Sequence, residues 1–201
     1  MRANQKTGKL TKIEQINHQI RLGMLDMDQF SQQNQGKEKR VLEGLGSRFL
    51  LAEMLNSTNL EIVYDAYNKP YLSGSHFKIS ISHSHQWLVI AISDDEEIGV
   101  DIELVRDKVE RIKHKFATDE ELVCAGLDHQ KLTYLWAAKE AIYKAYGKKA
   151  VDFKDIRIDA FDLSLNDRTT GVLHLQNKTR KYELLLKGYN DYVLALTLHA
   201  Y

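Results

Sequence analysis

Between residues 36 and 55 apolar side chains recur at helical spacing, with Val41, Leu45, Phe49, Ala52 and Leu55 on one stripe and Arg48 inside it. That period predicts an amphipathic helix. After Asn68-Lys69-Pro70 the period changes. Ile79-Ser-Ile-Ser82 alternates, residues 83–86 are polar, and residues 87–92 are continuously apolar, which together predict a β-hairpin. Past the acidic residues 94–97, Ile98, Val100 and Ile102 fall on one face of a further strand, with Gly99, Asp101 and Glu103 on the other. Short helices are predicted over 106–116 and 119–124, the second with Thr118 as N-cap ahead of Glu121. The strongest helical pattern covers 130–146 and is stopped by Gly147. Strands return around 156–158, 172–175, 182–186 and 192–198. Leu88-Val-Ile-Ala-Ile92 and Tyr192-Val-Leu-Ala-Leu196 share one pattern, which hints at an internal duplication.

Charge narrows the partners. The 201 residues carry 28 Lys+Arg against 28 Asp+Glu, a formal net charge of zero. Bulk nucleic acid and anionic membranes select a basic excess, so neither is expected as a partner, and any anion must be met by a local cluster. The candidates are Arg40, Arg48, Lys69, the Lys148-Lys149 pair and the helix bearing Lys108, Arg111, Lys113 and Lys115. Cys124 is the only cysteine, so no intrachain disulfide forms. Residues 1–10 are polar and no apolar run reaches spanning length, so a soluble cytoplasmic protein is expected.

Three constellations carry candidate chemistry. Asp101 and Glu103, two apart on a strand, aim their carboxylates to one side, and Gly99 on that face is expected to leave room for a ligand. A hard cation such as Mg²⁺ takes such oxygens; the plainer reading is a solvated strand face. On the 130–146 helix, Leu132, Leu135, Trp136, Ile142, Tyr143 and Tyr146 form an apolar stripe with Lys139 in its middle. A buried ammonium is costly, so Lys139 must snorkel out or meet an anion. Glu140 and Lys144 form either an ordinary i,i+4 pair or a third metal carboxylate beside a phosphate-binding lysine. At the hairpin turn, Ser82 and His83 point to opposite faces, which excludes a nucleophile with its base. His83 and His85 form either an H-x-H metal pair or polar surface.

Taken in chain order, Asn68-Lys69-Pro70, Ile81-Ser82-His83-Ser84, Gly99-Val-Asp101-Ile-Glu103 and Trp136-Ala-Ala-Lys139-Glu140-Ala-Ile-Tyr-Lys144 resemble the 4′-phosphopantetheinyl transferases. The match is closer to the larger, surfactin-synthetase-activating type. The resemblance implies an α+β fold: a monomer of two similar α/β halves about a pseudo-twofold, residues 1–97 and 98–201, with coenzyme A and Mg²⁺ in the cleft between them. It implies Asp101, Glu103 and Glu140 as metal ligands, Glu140 or a water it holds as the base, and Lys144 as its catalytic partner. Lys139, Lys144 and His83 match positions contacting coenzyme A phosphates, Ser82 and Lys69 match neighbours of its nucleotide end, and Arg40 matches an arginine near the 3′-phosphate, with Arg48 as the rival.

The implied reaction is holo-[acyl-carrier-protein] synthesis: a serine of an apo acyl or peptidyl carrier protein takes phosphopantetheine from coenzyme A, releasing 3′,5′-ADP. The basic segment 106–115, with Phe116, is expected to receive the carrier. The rival classes are a metal-dependent nucleotide pyrophosphate hydrolase and a non-catalytic coenzyme A or carrier binder. Three departures from the family pattern stand out. Residues 1–35 show no long apolar strand, so the first half is expected to be trimmed; Lys149 stands where a second glycine is usual; and His85 replaces a glycine.

Overall fold

The computed structural model describes residues 9–148, 151–162, 164 and 167–201; Lys149 lies outside them. The described chain is α+β. β1 (Thr11–Gln15), β2 (Ile20–Asp26), α1 (Met27–Gln33), α2 (Lys39–Leu55), β3 (Ile62–Tyr64), β4 (Pro70–Leu72), β5 (Lys78–Ser84) and β6 (Trp87–Ser93) come first. β7 (Val100–Leu104), α3 (Lys108–Phe116), α4 (Asp119–Ala125), α5 (His129–Tyr146), β8 (Ile156–Ile158), β9 (Arg168–Leu175), β10 (Lys178–Tyr189) and β11 (Tyr192–Ala200) follow.

Two antiparallel sheets result, ordered β1-β2-β6-β5-β4-β3 and β7-β11-β10-β9-β8. Leaving out β1, the two orders are the same: in each, the first strand pairs with the last, and the helices fall between the first strand and the second. The Leu88–Ile92 and Tyr192–Leu196 echoes occupy equivalent strands, β6 beside β2 and β11 beside β7.

Alternation along the strands builds four layers. Leu50, Leu51 and Met54 of α2 pack on Leu25, Leu88, Ile90 and Ile92 of the first sheet. That sheet's other face, including Leu22, Val89 and Ala91, meets Val100, Ile102, Leu194 and Leu196 of the second. The far face of the second sheet, with Leu184, Val193 and Ala195, receives Leu132, Ala138 and Ile142 of α5. Each fully buried Leu, Ile or Val in these layers contributes about 1.5–3 kcal/mol. Asp101 and Glu103 lie on the α5 side of β7 because Val100 and Ile102 take the sheet-to-sheet side.

Caps fix the helix ends. Thr118 and Glu121 form the predicted capping box, Asp128 accepts from the N–H groups of Gln130 and Lys131, and Gly147 ends α5 in the left-handed region.

The structure corrects several expectations. The first half does start with an apolar strand: β2 is paired on both sides and buried along most of its length. The stripe of α2 is displaced, since Val41 is 49% exposed and Arg48 is exposed, while Leu50, Leu51 and Met54 face the core. Gly99 leaves no room for a ligand: a Cβ there would land on the carbonyl oxygen of Ala141, so the glycine lets α5 lie against the strand. The departure at His85 is a turn position with φ 50°, where glycine is the easiest occupant.

Candidate functional site

α5 carries Trp136, Glu140 and Lys144 at successive four-residue steps, so one face presents all three to β7. Lys144 Nζ donates to Asp101 Oδ1 at 2.7 Å and to the Val100 carbonyl at 3.2 Å. Ser82 Oγ donates to the same Asp101 oxygen at 2.7 Å. Glu103 accepts from Trp136 Nε1 at 3.1 Å and from Ser84 Oγ at 3.2 Å. The Glu140 carboxylate makes no hydrogen bond to another described residue.

Electrostatics couple the three carboxylates. Burial, then the charges of Asp101 and Glu103, push Glu140 up to about 7, with Lys144 opposing. Burial and Asp101 also raise Glu103. Asp101 is 3% exposed, and its Oδ2 is buried without a hydrogen-bond partner. An orphaned carboxylate oxygen in a low-dielectric pocket is expensive. Among the described residues no group of three His, Cys, Asp or Glu side chains stands at metal-holding geometry. The donor chemistry nevertheless fits a hard divalent cation: all oxygen, one acceptor unsatisfied, and two carboxyls held above their usual range by burial and by the neighbouring Asp101 charge.

Beside this cluster, a cleft of about 490 Å³ runs between α2 and the C-terminal end of α5. Arg40, Arg48, Lys69, His83, Lys144 and Lys148 line it, and Glu43 is the only carboxylate in its described wall. A neutral protein thus concentrates positive charge in one groove. Lys144 belongs to both places, lining the cleft while bonded to Asp101. His83 Nε2 stands 3.4 Å from Glu43 Oε2. Lys69 Nζ pairs with Glu97 and donates to the Ala145 carbonyl at 2.8 Å, closing the last turn of α5.

Two expected ligand contacts face elsewhere. Lys139 is 0% exposed and donates to the Phe116 carbonyl at 2.8 Å, to Glu121 Oε2 at 2.7 Å and to the Phe153 carbonyl at 3.1 Å. One residue before Glu140 on a helix is a rotation of about 100°, so it points to the opposite flank. Its anion is a buried carboxylate of this chain, with no phosphate needed. Ser82 is 6% exposed, and its hydroxyl is spent between Asp101 and the backbone of β7. Nor do the turn histidines pair: His83 meets Glu43 while His85 meets Arg106. Phe116 is fully buried and offers a carrier nothing.

Sequence reasoning missed Tyr64 and Tyr67, exposed aromatics in the cleft wall, and Glu121, the partner of Lys139. The capping-box pattern found Glu121 but gave it only a local role. Arg40 and Arg48 both line the cleft.

The sequence profile of the 4′-phosphopantetheinyl transferase superfamily matches residues 97–197, half of the chain. The chain is 31% identical over 163 residues to the 4′-phosphopantetheinyl transferase gsp of Aneurinibacillus migulanus, covering 75% of this chain and 65% of that one. It is 29% identical over 114 residues to the 4′-phosphopantetheinyl transferase AcpT of Salmonella typhi, covering 53% of this chain and 59% of that one. It thus spans less than two thirds of either relative. No described helix is long and apolar enough to cross a membrane.

Proposed function

Because the chain belongs to the 4′-phosphopantetheinyl transferase superfamily, we propose that it moves phosphopantetheine from coenzyme A to a serine of an apo acyl or peptidyl carrier protein, as a cytoplasmic monomer. The observation that carries this reading is the junction of an anion-binding cleft with a carboxylate cluster at Lys144. The residue roles divide at 97/98. The first half supplies Arg40, Arg48, Lys69 and His83 toward the phosphates and nucleotide of coenzyme A, with Tyr64 and Tyr67 offering flat apolar faces. The second supplies the carboxylates and α5.

Asp101, Glu103 and Glu140 would hold Mg²⁺, which when bound neutralises charge on the pyrophosphate. Glu140, or a water it holds, is placed to take the serine proton. The serine oxygen bonds to the β-phosphorus as the bond to the 3′,5′-ADP oxygen breaks. Lys144, fixed by Asp101 and the Val100 carbonyl, directs its remaining proton toward the departing phosphate. Positioning of this kind is most of what phosphoryl transfer requires. The basic face of α3, with Lys108, Arg111 and Lys115, suits an acidic carrier surface.

The test is product analysis with coenzyme A and Mg²⁺. 3′,5′-ADP should appear only when an apo carrier is added, in step with a carrier mass gain of one phosphopantetheine, and EDTA should abolish both. Free phosphopantetheine released without a carrier would instead identify a pyrophosphate hydrolase.

A further inference from the structure

β7 is the edge strand of its sheet, so one row of its backbone N–H groups has no strand to bond. Three serines of the other sheet fill that row. Val100 N donates to Ser80 Oγ at 3.0 Å, Ile102 N to Ser82 Oγ at 3.4 Å and Leu104 N to Ser84 Oγ at 3.3 Å. The offset is the same at each step, and all three serines are buried. A hydroxyl accepts and donates at once. Ser82 donates its hydrogen bond to Asp101 Oδ1 and Ser84 donates to Glu103 Oε2.

We propose that Ser80, Ser82 and Ser84 form a register lock that seats β5 against β7, in which Ser82 and Ser84 also aim the Asp101 and Glu103 carboxylates. Ser84 is then a positioning residue for Glu103, opposite Trp136. A slip of one residue would put Ile81, which packs on the α2 side of the sheet, and the exposed His83 against the β7 edge and leave both carboxylates without their hydroxyl donors. Ser80 completes the lock without touching a carboxylate, which separates the two duties. The inference rests on the metal reading of the carboxylates for its second half only.

Three variants test it, read by Mn²⁺ titration, by site-resolved amide exchange and by transfer activity. In Ser84→Ala the Leu104 amide should exchange faster, and Mn²⁺ affinity should fall about 10- to 100-fold, as when a ligand loses its outer hydrogen-bond partner; the KM for coenzyme A should hold while kcat falls. Ser84→Thr keeps the hydroxyl and should restore affinity and exchange. Ser80→Ala should speed exchange at Val100 with Mn²⁺ affinity unchanged.

Unaltered Mn²⁺ affinity in Ser84→Ala, or an equal loss in Ser80→Ala, would overturn the aiming role. Fast exchange at residues 100, 102 and 104 of the wild type would overturn the lock itself. A wild type that binds Mn²⁺ and shows these exchange effects, yet transfers nothing to any carrier, would sink the transferase reading while supporting the lock.

Discussion

Helix α5 holds two lysine–carboxylate pairs of the same length, 2.7 Å each, that differ in everything else. Lys139 with Glu121 is closed. The ammonium has three acceptors, and Glu121 spends its oxygens on the N–H groups of Thr118 and Ile158 as well. Lys144 with Asp101 is open. Its side chain is 27% exposed, it borders the cleft, and Asp101 keeps one oxygen unsatisfied. The first pair joins α4, the end of α3 and the chain after α5 to one point on the helix. The second leaves a charge imbalance that a ligand can complete. Burial alone does not separate structure from function here; unspent hydrogen-bonding capacity does.

The largest effect expected is on the open side. Glu140→Gln should lower kcat about 10²- to 10⁴-fold, the usual contribution of a general base, without loss of melting temperature at pH 8. A melting temperature that collapses along with activity would assign Glu140 to the framework instead.

On the closed side, Lys139→Met should cost about 3–5 kcal/mol in denaturant unfolding, because Glu121 is left buried and uncompensated. Adding Glu121→Gln should recover part of that, since it removes the uncompensated charge while the amide oxygen still accepts from one of the two backbone groups. Additive losses from the two changes would mean that the pair is not coupled.

A smaller effect is expected at the rim. Lys144→Met should lower kcat/KM for coenzyme A about tenfold, as one charge-assisted contact worth about 1.4 kcal/mol would, and should cost less stability than Lys139→Met because its own side chain is already 27% exposed. Equal losses in both quantities would erase the contrast with Lys139.

The smallest effect is in pH. Glu140 titrates near 7 in the folded protein against an ordinary 4.5, so the native state binds more protons between those values. Its contribution to stability is therefore full below about 4.5 and lost as pH rises through about 7. Mg²⁺ should raise the melting temperature more at pH 8 than at pH 5, and a pH-independent shift would contradict the coupling.

What could be read without coordinates follows the same division. Asp101 with Glu103, and Glu140 with Lys144, were legible as pairs because strand and helix periods set which residues share a face, and β7 and α5 keep those periods; that the two pairs meet was legible only through the resemblance of the motif order to the family. Lys139 was half legible: its place in an apolar stripe requires an anion, but the period does not say that Glu121 of a separate helix supplies it. β2 was missed because it is buried on both faces and so shows no alternation, with Arg21 and Gly23 interrupting its apolar run. Ser80 and Ser82 read as part of a hairpin strand and Ser84 as part of its polar turn, since nothing local indicates that a strand from the other sheet lies along all three.

The contrast between the two pairs can be measured at the lysines themselves, by amine-reactive labelling of the native protein with and without coenzyme A, read by peptide mass. Lys144 should label slowly and become protected by coenzyme A, while Lys139 should stay unlabelled in both. Labelling of Lys139 in the folded protein, suppressed by coenzyme A, would contradict the assignment and return that lysine to the phosphate site.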